Sequence, residues 1–116
     1  MALQRSIFSF GNGPAKVSIG GKEFVVIAGP CSIESHEQFS HIAHHVRRAG
    51  AAMLRGGIFK MRTHAKSFQG LGEQAYPIAR EIKRQTGMTL ISEITDPRQI
   101  GPMGEVIDMF QVGARN

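Results

Sequence analysis

The sequence predicts an α/β fold in which parallel strands alternate with helices. Three observations predict it. The apolar run at residues 24–28 and the nearly continuous one at 88–94 do not alternate, as suits strands covered on both faces. Stretches with helical apolar spacing separate the predicted strands. Glycines stand where those helices should stop, at Gly50 and Gly87. Strands and helices alternating at this spacing imply one parallel sheet with right-handed crossovers.

The elements follow in order. Residues 6–23 read as a small hairpin, interrupted by the turn residues Gly11, Asn12, Gly13 and Pro14, with Gly20-Gly21 as a second turn. The run 24–28 is the first strand of the parallel sheet and ends at Gly29-Pro30-Cys31-Ser32. Ser35 and Gln38 fit a capping box for the first helix, whose buried stripe is Phe39, Ile42, Ala43, Val46 and Ala49. A second strand, 51–54, runs into Arg55-Gly56-Gly57, and residues 58–70 form a long charged loop with almost no helical period. The second helix covers about residues 71–86, with Leu71, Ala75, Ile78, Ala79 and Ile82 inward. Pro77 either sits in its first true turn or kinks it. A third strand, 88–94, precedes Asp96-Pro97, a helix start with an acceptor at the N-cap and a fixed φ behind it. Gly101, Pro102 and Gly104 keep the third helix short, and a fourth strand, 107–112, leads into Gly113-Ala114-Arg115-Asn116. Two architectures satisfy this order: a doubly wound sheet, or part of a (β/α)8 barrel. A whole barrel takes about 250 residues.

Composition narrows the function. The chain has 116 residues, 41% of them apolar, so it is a globular domain rather than a disordered segment. No run approaches the roughly 20 apolar residues of a membrane span. Cys31 stands alone, which excludes a disulfide scaffold. The first residues show no signal-peptide pattern, so a reducing, cytoplasmic setting is expected. The net charge of +5 suits either nucleic acid or a small phosphorylated substrate. Arg47, Arg48, Lys83 and Arg84 lie near helix ends, where cations complement the dipole. With seven Phe, one Tyr and no Trp, no basic cluster is interleaved with aromatics, and a nucleic-acid stacking platform is not expected.

In both architectures ligands bind at the carboxyl ends of the strands. There the sequence places Cys31 and Ser32, then Arg55, Lys60, Arg62 and Thr63, then Ser92 and Glu93, then Arg115 and Asn116. Four cations, one carboxylate and one thiol on one rim suit phosphate esters and a carboxylate. Gly56, Gly57, Gly70 and Gly113 permit close backbone approach. Plainer readings exist for each residue. A lone cysteine after an apolar strand is ordinarily a small buried residue. Loop cations are ordinarily solvated, and Glu93 would simply pair with an arginine. His41 and His45 stand four apart on a helix, a chelating spacing, yet a solvated face explains them as well. Read from the residues alone, the chain is an anion site on part of an α/β sheet.

Four motifs carry a resemblance. Ala28-Gly29-Pro30-Cys31-Ser32-Ile33-Glu34-Ser35 resembles the first-strand motif of the 3-deoxy-7-phosphoheptulonate (DAHP) synthases. Arg55-Gly56-Gly57-Ile58-Phe59-Lys60-Met61-Arg62-Thr63, with Ser67-Phe68-Gln69-Gly70-Leu71-Gly72, resembles their second-strand loop. Ser92-Glu93-Ile94-Thr95-Asp96-Pro97 and Gln111-Val112-Gly113-Ala114-Arg115-Asn116 resemble the third and fourth strand ends. The related 3-deoxy-manno-octulosonate 8-phosphate synthases share the Gly-Pro-Cys element and rank second.

The resemblance implies a partial (β/α)8 TIM barrel of about four strands at residues 24–116, preceded by the hairpin at 1–23. It implies a transferase that condenses phosphoenolpyruvate with erythrose 4-phosphate and releases phosphate, opening the shikimate pathway to aromatic amino acids. By motif position, Arg55 and Lys60 hold phosphoenolpyruvate, with Lys60 a proton donor near the reacting carbons. Arg62 and Thr63 bind the phosphate of erythrose 4-phosphate. Arg115 and the Ala114 backbone bind the phosphate of phosphoenolpyruvate, and Glu93 orients the attacking water. Cys31 is one ligand of a divalent metal ion, Mn²⁺ or similar, whose other ligands, a His, a Glu and an Asp, lie beyond these four strands. A homo-oligomer is implied for the full-length form, with no nucleic-acid or membrane partner.

The sequence departs from the family pattern at Met61, where proline is usual, and at His64-Ala65-Lys66, in place of a Ser-Pro-containing run; both loosen the loop. Its length covers half a barrel. Three readings of that length arise: a fragment of a longer enzyme, a half-barrel completed by another chain, and a non-catalytic remnant that binds phosphorylated metabolites. The chain by itself is expected to be inactive.

Overall fold

Four parallel strands lie side by side in the order in which the chain lays them down: β3 (Ile27–Ala28), β4 (Met53–Arg55), β5 (Thr89–Ile94) and β6 (Met109–Val112). The computed structural model describes residues 3–61 and 66–116. A separate antiparallel hairpin, β1 (Phe8–Phe10) with β2 (Val17–Ile19), precedes the sheet and pairs Phe8 with Ile19 and Phe10 with Val17. A doubly wound sheet reverses its strand order at a switch point. These four strands show no such reversal, an order that a barrel wall also has. Closure into a barrel is not seen.

Helix α1 (His36–Arg48) begins where Ser35 accepts a hydrogen bond from the Gln38 amide at 3.0 Å. The second half of the expected capping box lands one residue early: Gln38 Oε1 accepts from the Glu34 amide at 3.1 Å. Helix α2 (Ala75–Thr86) follows a 3-10 turn, Gly72–Gln74, so Pro77 falls in the first α-turn and does not kink the helix. Gly87 ends α2 in the left-handed conformation. The basic residues expected near helix ends occupy the last turns of α1 and α2. At the third helix start Asp96 accepts from the Arg98 amide, and Gln99 Oε1 accepts from the Asp96 amide, completing a capping box before α3 (Ile100–Gly104).

Residues of α1, α2 and α3 meet the strands in one apolar core. Leu54 of β4 and Leu90 of β5 belong to it with Phe39, Ala43, Ala79, Ile82 and Met103. Burying each large side chain contributes about 1.5–3 kcal/mol. The hairpin sits against the start of β5: a Cβ built on Gly11 would lie 2.9 Å from Thr89 Cγ2. Among the described residues no helix is long and apolar enough to cross a membrane.

Two expectations are corrected. Residues 24–28 do not form a five-residue strand covered on both faces. Only Ile27–Ala28 pair with β4, Phe24 is 94% exposed, and Val26 and Ile27 are also exposed. The run lies at the edge of the sheet, where β4 is its one strand neighbour. Composition reports what a segment is suited to meet, and that neighbour is missing on one side. Ala49, placed in the buried stripe of α1, is exposed because it caps the helix rather than continuing it.

Candidate active site at the carboxyl ends of the strands

The site is built from the four strand exits. After β4 the chain runs through Gly56 and Gly57, and Ile58 and Lys60 are drawn back over β5. The Ile58 amide donates to Ser92 Oγ at 3.1 Å, and the Ile58 carbonyl accepts from the Gly72 amide at 3.1 Å. The Lys60 amide donates to the Gln69 carbonyl at 2.9 Å. These bonds fix both ends of the charged loop. The exit from β3 is tied to the same place, because the Ile33 amide donates to the Gly57 carbonyl at 2.9 Å. Gln38 holds it from the other side, its Nε2 donating to the Ser32 carbonyl at 3.2 Å.

At the centre Lys60 Nζ donates to Glu93 Oε2 in an ion pair that is almost wholly buried, with 9% of Lys60 and 8% of Glu93 exposed. Two glycines make room for it. A Cβ on Gly113 would lie 2.5 Å from Glu93 Oε1, and a Cβ on Gly57 would lie 2.6 Å from Lys60 Cδ while colliding with the Cys31 carbonyl. The pair is therefore seated between the exits of β3, β4, β5 and β6. A lysine and a carboxylate removed from water each replace part of the other's lost hydration, and each loses that support if the other is deleted.

The cations around the pair are placed as follows. Arg55 Nε donates to the Pro30 carbonyl at 3.4 Å, which brings it beside the Gly-Pro-Cys turn. Arg115 Nη2 donates to the Met61 carbonyl at 3.4 Å, so the exit of β6 reaches the loop that carries Lys60. Asn116 Nδ2 donates to the Ile94 carbonyl at 3.1 Å and ties that exit to β5. Ala114 is exposed beside Arg115. Arg62 and Thr63 lie outside the described residues. The structure thus brings Lys60 and Glu93 into contact and ties Arg55 to the β3 exit and Arg115 to the Lys60 loop. Glu93 pairs with a lysine, where an arginine was the plain expectation.

Cys31 is free and exposed rather than packed in the core. No group of three or more His, Cys, Asp or Glu able to hold a metal ion occurs among the described residues. One thiol is not a coordination sphere, since a protein metal site needs about three or four donors. The described residues do not by themselves fit a divalent ion. His44 makes a 3.2 Å hydrogen bond with Gln85 Oε1, while His41 and His45 are exposed on the same helix. A cavity of about 390 Å³ lies at the opposite end of the sheet, between Lys16, Val17, Arg47 and Gly87. It does not adjoin the Lys60–Glu93 pair.

Sequence reasoning set Ser92 on the rim but gave it no task. Its hydroxyl lies fully buried and holds the backbone of the Lys60 loop. The available signal was a hydroxyl in the middle of a strand expected to be covered on both faces, because a buried polar group needs a partner.

Comparison with known proteins gives the family of the chain. A family model described as the DAHP synthetase I family matches residues 5–116. Over 100 residues the chain is 41% identical to the phospho-2-dehydro-3-deoxyheptonate aldolase of Thermotoga maritima, covering 86% of this chain and 30% of that protein. Over 115 residues it is 36% identical to a 2-dehydro-3-deoxyphosphooctonate aldolase of Desulfatibacillum aliphaticivorans, covering 92% of this chain and 41% of that one. A crystal structure of the Thermotoga maritima DAHP synthase superposes with a TM-score of 0.84 at 37% identity, over 97% of this chain and 32% of that one. The chain spans between 30% and 41% of the length of these relatives.

Proposed function

The chain belongs to the DAHP synthetase I family, and from that premise we propose that it supplies the phosphoenolpyruvate-binding strands of a synthase that makes 3-deoxy-7-phosphoheptulonate from phosphoenolpyruvate and erythrose 4-phosphate. The observation that carries this reading is the buried Lys60–Glu93 pair at the strand exits, with Arg55 tied to the Gly-Pro-Cys turn and Arg115 to the loop that carries Lys60. Two phosphates and a carboxylate repel one another when brought close, and fixed cations in a partly dry site offset that repulsion.

In the proposed reaction, C3 of phosphoenolpyruvate bonds to the aldehyde carbon of erythrose 4-phosphate. A water oxygen bonds to C2, the bond from C2 to the phosphate oxygen breaks, and inorganic phosphate leaves. Lys60 and Arg55 hold phosphoenolpyruvate, and Arg115 with the Ala114 backbone holds its phosphate. Lys60 gives a proton to the oxygen that was the aldehyde. Glu93 orients the water and takes its proton. Arg62 and Thr63 hold the phosphate of erythrose 4-phosphate. Cys31 would contribute one donor to a divalent ion, which would polarise the aldehyde carbonyl, and the remaining ligands would come from outside the described residues. A reducing, cytoplasmic setting belongs to the same proposal.

A second reading is favoured by the names of several relatives. A 2-dehydro-3-deoxyphosphooctonate has eight carbons, so the same three-carbon donor would join a five-carbon phosphorylated aldose. The residues that meet phosphoenolpyruvate would be unchanged.

A chimaera tests both. Residues 24–116 replace the corresponding segment of the Thermotoga maritima enzyme, and phosphate release is measured with Mn²⁺ and each aldose phosphate. Turnover with erythrose 4-phosphate, falling roughly 100-fold or more on Lys60→Ala, is the expected result. Turnover only with the five-carbon aldose supports the second reading. A folded chimaera that turns over neither overturns both.

A further inference from the structure

We infer that Ser92 is a positioning residue for Lys60: its hydroxyl fixes the height of the chain leaving β4, and through it the meeting of the Lys60 ammonium with Glu93. Ser92 and Ile58 are both fully buried, and the Ile58 amide has Ser92 Oγ as its acceptor at 3.1 Å. The Ile58 carbonyl is committed to the Gly72 amide, and two residues on the Lys60 amide is committed to Gln69. Neighbouring residues on a strand face opposite sides of the sheet. Ser92 and Glu93 therefore grip one segment from two faces, the first by its backbone and the second by the lysine at its end.

A buried amide without an acceptor is disfavoured. Without the hydroxyl, the segment carrying Ile58 moves to find water or another acceptor. Lys60 lies two residues along and moves with it. The Lys60 stem packs against the backbone at Gly57, which limits how far it can swing to compensate, so displacement of the segment is passed to the ammonium and its bond to Glu93. A purely structural serine behaves differently: its loss lowers stability and leaves the ion pair in place.

This inference rests on the proposed reading of Lys60 only for its meaning in the reaction. Its test needs no substrate, so its failure is distinct from failure of that reading, which the chimaera measures. The side-chain ammonium signals of the full 116-residue chain are recorded by ¹H–¹⁵N NMR, with Lys60→Arg assigning the Lys60 signal. Ser92→Ala is expected to abolish that signal while the amides of α1 and α2 hold their positions, and Ser92→Thr, which keeps the hydroxyl, is expected to restore it. Thr86→Ala is the control: it removes a buried hydroxyl that donates to the Ile82 carbonyl and accepts from the Met88 amide, and it is expected to leave the Lys60 signal unchanged. A folded Ser92→Ala chain that retains the Lys60 signal overturns the inference, as does loss of the signal in the Thr86 control or in a folded Ser92→Thr chain. If Ser92→Ala does not fold, the wild-type chain decides in sub-denaturing urea. Ile58 amide exchange and loss of the Lys60 signal are expected at the same urea concentration. Release of Lys60 while Ile58 stays protected contradicts the inference.

Discussion

Lys60 and Glu93 stand 33 residues apart in sequence and form a buried ion pair where the chain leaves β4 and β5. Neither residue is held by its own strand alone. The Ser92 hydroxyl, the Gly72 amide and the Gln69 carbonyl fix the lysine's segment, and Gly113 leaves the space that the carboxylate fills.

Removing one partner leaves the other charged and unpaired. Lys60→Met is expected to destabilise the chain by about 3–5 kcal/mol. The double variant Lys60→Met/Glu93→Leu should recover most of that loss, because two packed apolar groups replace two desolvated charges. Urea denaturation of the four chains closes the cycle. Equal stability of the single variant and the wild type would show that the pair is solvated.

Gly113→Ala places a methyl group 2.5 Å from Glu93 Oε1. The carboxylate or the β6 exit must shift, at about 1–3 kcal/mol for overpacking. The expected outcome is lower stability together with loss of the Lys60 ammonium signal. Gly104→Ala, where a Cβ meets nothing within 4 Å, should leave that signal as it is.

Acid should loosen the start of α3. Arg98 donates to both carboxylate oxygens of Asp96, at 2.9 and 2.6 Å, and its amide donates at 2.8 Å. These bonds, the side-chain ones foremost, hold the Asp96 carboxyl well below the usual carboxylate range. A depressed value in the folded state stabilises above the unfolded value, about 4, and the stabilisation is lost as pH falls further toward the folded value. The stability gap between wild type and Asp96→Asn should therefore be constant from pH 7 to 5 and shrink below pH 4. A gap that widens on acidification would contradict the assignment.

Thr89 Oγ1 is buried and has no hydrogen-bond partner among the described residues. Thr89→Val keeps the shape and removes the stranded hydroxyl, so it is expected to stabilise the chain by about 1 kcal/mol in thermal or urea unfolding. A loss of similar size would reveal a partner for the hydroxyl.

Much of this was legible because the signals are local. Apolar spacing and caps located α1 and α2, and the turn residues located the hairpin. The β3 run misled for a non-local reason: Phe24 and Val26 are apolar enough for a core, but burial depends on a neighbour that the run itself does not encode. The rim residues followed from the rule that ligands meet parallel strands at their carboxyl ends. That Glu93 would choose Lys60 over the arginines was not legible, since it depends on how Ile58, Gly72 and Gln69 fold the loop back. The task of Ser92 was hidden for the same reason: its partner is a backbone amide 34 residues away.

The central claim, that the strand exits around Lys60 and Glu93 form the phosphoenolpyruvate site, is tested most directly by titrating the ¹⁵N-labelled chain with phosphoenolpyruvate. The account predicts amide shifts at Cys31, Gly57, Lys60, Gly113 and Arg115 that vanish in Lys60→Ala. Shifts confined to Lys16, Val17, Arg47 and Gly87 at the far end of the sheet, or shifts that survive Lys60→Ala unchanged, would contradict it.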